Sequence, residues 1–109
     1  NNAGITKDGL LMKMSEEEYN EAEALAKEII EQLIEAKKIG DPSSKEAKAL
    51  AELHKKWLCI YWDKYSKEAH VGVAQMYVYD ERFKEYYDKH GDGLAEFLRD
   101  AIVEYTRDR

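Results

Sequence analysis

At 109 residues the chain is long enough for one domain with one hydrophobic core. Seventeen basic residues against 23 acidic ones leave a formal charge of −6, which argues against nucleic-acid binding, because neutralising phosphates needs clustered Lys and Arg. No apolar run is long enough for a bilayer-spanning helix, and one cysteine excludes an internal disulfide and fits a reducing, cytoplasmic setting.

Residues 1–14 show no sustained periodicity and contain Gly4 and Gly9 among polar residues. They read as a flexible lead-in to a folded unit over 15–109. The chain has no initiator methionine and no secretory signal, and is expected to be a piece of a longer protein.

Ser15 opens the first helix. Ser15-Glu16-Glu17-Glu18 has the spacing of a capping box, and its three glutamates suit the positive end of the helix dipole. Tyr19, Ala22, Ala26, Ile29, Ile30, Leu33 and Ile34 recur at helical spacing. Lys37 and Lys38 sit at the negative end, Gly40 suits the left-handed cap position, and Pro42 stops continuation. That stripe is mostly small and aliphatic.

Ser43-Ser44-Lys45-Glu46 reads as a second capping box. The helix it starts runs to about Tyr65. Leu50, Leu53, His54, Trp57, Ile60 and Tyr61 share one face, and Ala47, Ala51, Leu58, Trp62 and Tyr65 widen it. An apolar face spanning half the wheel exceeds what one neighbour requires, so this is predicted to be a central helix with partners on two sides. Cys59 falls on its polar strip.

Ser66 is the predicted cap of a third helix over residues 67–79. Ala69, Val71, Val73, Ala74, Met76, Tyr77, Val78 and Tyr79 surround it, which predicts burial on nearly all sides with Gln75 as a buried amide. A strand is the competing reading of this β-branched run, but the sequence offers it no strand partner. Asp80 caps a short helix holding Phe83, Tyr86 and Tyr87. Gly91-Asp92-Gly93 is a turn. The last helix, from Leu94 to about Asp108, carries Leu94, Phe97, Leu98, Ala101, Ile102 and Tyr105 in one stripe. The predicted fold is therefore all-α, a single domain of about five helices.

Catalytic and metal chemistry find little support. His54, His70, His90 and Cys59 show no zinc-type spacing, no Glu-x-x-His pair occurs, and nothing supports haem. Cys59 has only Lys55 nearby to lower its pKa and reads as an incidental thiol. No cofactor, metal or enzymatic activity is expected. What stands out is the aromatics: of twelve, eleven lie from Trp57 onward. They either fill a core or line a cleft with rings that offer apolar area and polar tips. On the residues alone, core is the favoured reading.

The span Leu50 to Tyr105 resembles the TipA-like (TipAS) antibiotic-recognition domain, the effector domain of certain MerR-type transcription activators. The similarity is carried by Leu53-His54 before Trp57-Leu58, then His70, then Gln75-Met76-Tyr77-Val78-Tyr79-Asp80-Glu81-Arg82-Phe83, and finally Gly93-Leu94-Ala95-Glu96-Phe97-Leu98-Arg99-Asp100-Ala101-Ile102. From Met14 to Leu50 it is weaker. The resemblance implies a globin-like arrangement of helices and a cleft for thiopeptides or other bulky lipophilic compounds. It also implies a homodimer formed through an N-terminal region, and a separate DNA-reading domain. Family members that trap thiopeptides covalently have a cysteine where this chain has Gly72, so non-covalent binding is expected. Asp92 replaces the proline usual before the Gly-Leu-Ala turn. Trp57, Tyr61, Trp62 and Tyr65 are expected to line one wall of the cleft, His70, Met76 and Tyr79 another, with Gln75 supplying a hydrogen bond. The alternative is a helical protein-interaction module without a small-molecule site.

Overall fold

The computed structural model describes residues 15–107. They form five helices: α1 (Glu16–Ile39), α2 (Lys45–Tyr61), α3 (Lys67–Tyr79), α4 (Glu81–Asp88) and α5 (Leu94–Thr106). There is no strand among the described residues, so the all-α expectation holds, including the helix over the β-branched run of α3. The expected lead-in, residues 1–14, lies outside the described residues.

Local chemistry sets the helix ends. The Ser15 hydroxyl accepts the Glu18 amide at 3.1 Å, and the Glu18 carboxylate accepts the Ser15 amide at 3.1 Å, which completes the capping box. Gly40 ends α1 at φ 77°, a conformation open to glycine without steric cost. The second capping box does not form. The Asp41 carboxylate accepts the Ser43 amide at 2.8 Å and turns the chain there, so Ser44 becomes the cap, accepting from Ala47 at 3.1 Å. Glu46 is then one position short of the reciprocal bond. Ser66 and Asp80 cap α3 and α4 as their positions suggest. Gly93, at φ 79°, has no side chain with which to cap α5. Asp88 reaches across from α4 instead, accepting the Ala95 amide at 2.9 Å while Lys84 holds its other oxygen at 2.9 Å.

α2 has neighbours on two sides, α1 and α5, as its wide apolar face requires. The hub, however, is α5, which touches each of the other four helices. Leu94, Leu98, Ala101 and Ile102 on α5 are sealed from water, together with Leu33 of α1 and Leu50 of α2. Full burial of each such leucine or isoleucine stabilises the fold by roughly 1.5–3 kcal/mol.

α3 corrects an expectation. It packs mainly on α5 and α4, with His70 and Tyr77 also meeting His54 of α2, and it buries His70, Ala74 and Tyr77 while leaving its outer face to solvent. Gln75 is exposed and is not a buried amide, and Tyr79 is 91% exposed. An all-round apolar wheel predicts all-round burial, yet a helix at the rim of a five-helix fold keeps one face without neighbours.

Candidate functional site

Between α1 and α4 the surface opens into a cleft of about 400 Å³. Ala26 and Ile29 of α1 form one wall, and Phe83, Tyr86 and Tyr87 of α4 the other. Trp57 of α2 and Tyr77 of α3 also line it, and Arg82 contributes from the start of α4. The aromatic wall follows from sequence spacing: Phe83, Tyr86 and Tyr87 fall at i, i+3 and i+4, which places them together on one helical face. Only Tyr87 is used up by packing. Phe83 and Tyr86 remain 37% and 43% exposed, so their rings are available to a ligand. Arg82 is tied to Asp80 by bonds of 3.2 and 3.3 Å, and this pairing holds the Asp80 carboxyl below its usual range.

Behind the cleft lies a buried polar line. Tyr77 Oη stands 3.0 Å from His54 Nε2. His54 Nδ1 stands 2.9 Å from His70 Nε2, and His70 Nδ1 is 2.6 Å from Tyr65 Oη. Both imidazoles have no exposed surface, and they stack with ring centroids 5.1 Å apart. Burial pushes the His54 pKa down to about 3, with the charge of His70 adding to the effect. Burial and then the Lys55 ammonium take His70 down to about 4. Burial drives the Tyr77 and Tyr65 phenols up to about 12 and raises Tyr87 as well. At neutral pH all these groups are therefore uncharged, each phenol keeping its proton.

The residues expected to form the site divide into three places. Trp57 lines the cleft, with Tyr61 edge-on to it at 5.1 Å but outside the lining. Trp62 packs on Tyr65, centroids 6.4 Å apart, and Tyr65 and His70 belong to the buried line. Gln75, Met76 and Tyr79 sit elsewhere, around a shallow depression on the outer face of α3 shared with Gly72, Val78 and Arg99. The two expected walls thus do not face each other. Tyr77, Arg82, Phe83, Tyr86 and Tyr87 were missed as cleft residues. The available signal was density: three rings in an eight-residue helix exceed what so short an element can bury.

No group of three or more His, Cys, Asp or Glu side chains among the described residues is placed to hold a metal ion. Cys59 is exposed on α2, away from the cleft lining. No helix among the described residues is long and apolar enough to cross a membrane.

A family model described as the TipAS antibiotic-recognition domain matches residues 7–105. The HTH-type transcriptional activator mta of Bacillus subtilis (strain 168) is 33% identical over 64 residues, covering 59% of this chain and 25% of that protein. The HTH-type transcriptional activator TipA of Streptomyces coelicolor (strain ATCC BAA-471 / A3(2) / M145) is 30% identical over 90 residues, 82% of this chain and 36% of that protein. TipA of Streptomyces lividans gives the same figures. The chain thus spans between a quarter and about a third of these relatives. No solved structure matches it.

Proposed function

Because this chain belongs to the TipAS antibiotic-recognition family, we propose that it is the ligand-sensing effector part of a MerR-type transcription activator. In this reading it binds a bulky, partly apolar compound non-covalently, in the cleft between α1 and α4. The observation that carries the reading is the cleft itself. Its volume, about 400 Å³, falls in the range of small-molecule sites, and five of its eight lining residues are aromatic. Each ring covered by ligand contributes on the order of 1–3 kcal/mol. The chain acts by binding and not by catalysis. DNA reading and homodimerisation belong to other parts of the longer regulator.

Trp57 makes the reading testable. A panel of thiopeptides and lipophilic aromatic compounds is expected to raise the melting temperature and to change tryptophan emission. A Trp57→Phe variant keeps the thermal shift and loses most of the emission change. No shift and no emission change with any compound would remove the support for this function.

One observation favours a second reading. Met76 and Tyr79 stand exposed around a shallow face with Gly72, as a protein contact would require. Under that reading, Tyr79→Ala impairs transcription activation by the full regulator and leaves compound binding intact.

A further inference from the structure

Tyr65, His70, His54 and Tyr77 run in a line from the α2–α3 connection to the cleft, joined by contacts of 2.6, 2.9 and 3.0 Å. Each neutral member has one proton on its polar atoms, and three links use three of the four protons. The links must all run the same way, because a neutral imidazole has one N–H and one lone pair. If Tyr65 donates, both histidines carry their proton on Nε2, and the Tyr77 proton is left over at the cleft end. If Tyr77 donates, both carry it on Nδ1, and the leftover proton is that of Tyr65.

The distances favour the first. Bonds from O–H donors run roughly 0.2 Å shorter than bonds from N–H donors. The 2.6 Å contact at Tyr65 has the length of a phenol donating, and the 3.0 Å contact at Tyr77 that of an imidazole N–H donating to a phenol oxygen. In that arrangement Tyr77 accepts from His54 and turns its own proton away from it. Tyr87, also lining the cleft, packs on Tyr77 with centroids 4.9 Å apart. Tyr77 and Tyr87 both line the cleft, so in this arrangement the proton is offered there, directly or through the Tyr87 hydroxyl. The guanidinium of Arg82 is also a donor, and no Asp, Glu, Asn or Gln lines the cleft.

We propose that this buried line presets the floor of the cleft as a hydrogen-bond donor. The cleft then favours flat aromatic ligands that carry an acceptor, such as a ring nitrogen or a carbonyl, with Tyr65, His70 and His54 as positioning residues. The inference rests on the cleft being the ligand site, and the test separates the two.

Nitrogen-15 NMR of the free protein reads the histidine tautomers without any variant. Both His54 and His70 are expected as Nε2–H; one of each kind, or both as Nδ1–H, overturns the inference. Naphthalene and quinoline, which differ by one ring nitrogen, then serve as probes, with binding followed at the Trp57 indole. Tyr65→Phe removes the donor that sets the direction and touches neither probe. It is expected to weaken quinoline about threefold to tenfold relative to naphthalene, the worth of one hydrogen bond. An unchanged quinoline-to-naphthalene ratio overturns the positioning role and leaves the cleft standing. Absence of any perturbation at Trp57 by either probe sinks the cleft reading, and this inference with it.

Discussion

His54 and His70 have no surface exposed to water, yet neither has a charged partner to justify an imidazolium. Their folded pKa values, about 3 and about 4, lie below the ordinary 6.5. Below about pH 6.5 the unfolded chain therefore takes up protons that the folded chain refuses. The stability these groups contribute is complete above that pH and is lost as pH falls toward 4 and then 3. Urea midpoints are expected to drop between pH 7 and pH 5 by the equivalent of about 2–4 kcal/mol. His54→Phe should roughly halve the slope of that decline even as it lowers stability overall, and an unaltered slope would mean the histidines are not the source. Sequence reading could name both histidines but not join them. They are 16 residues apart on different helices, and only packing on α5 brings Nδ1 of one to Nε2 of the other.

Helices were legible wherever local chemistry decides them. Ser15 with Glu18, Ser66 and Asp80 all cap where their spacing says, because a cap needs only neighbours two or three residues away. Ser15→Ala is expected to cost about 1 kcal/mol, read from the thermal midpoint. The second capping box failed for an equally local reason, the competing Asp41 bond to the Ser43 amide. The burial of α3 is not legible in the sequence, because apolar composition states what a helix can bury and not how many neighbours it will have. Gly72 turns that exposed face into a prediction. A Cβ added there meets nothing within 4 Å, and its backbone is not left-handed. Gly72→Ala should therefore raise stability by about 0.5–1 kcal/mol. Gly93→Ala should lower it, because φ 79° strains any residue with a Cβ. A melting temperature that fell for Gly72→Ala would show that the outer face of α3 is covered in solution.

At the scale of the whole molecule, the aromatic surplus lies in the second half of the chain, but the cleft gathers a different set of rings from the one helical wheels suggest. Which rings face a common space depends on the crossing of α1, α2 and α4, and helical wheels carry no such information. That crossing separates what stabilises the fold from what binds. Leu98 is sealed on the hub helix, so Leu98→Ala is expected to cost about 2–5 kcal/mol. Phe83 is 37% exposed at the cleft, so Phe83→Ala should change stability by about 1 kcal/mol or less while weakening compound binding on the order of tenfold. α1 packs on α2 and α5, but faces α4 across the cleft. A ligand seated there adds burial to both walls and ties α1 to α4, which the empty fold does weakly. Amide exchange on binding should therefore slow around Ala26 and Ile29 and around Phe83 to Tyr87. The amides of α5 should change least, since the hub is already held from four sides. Protection confined to the outer face of α3, around Gln75 and Met76, would instead move the binding site to the shallow depression beside Gly72.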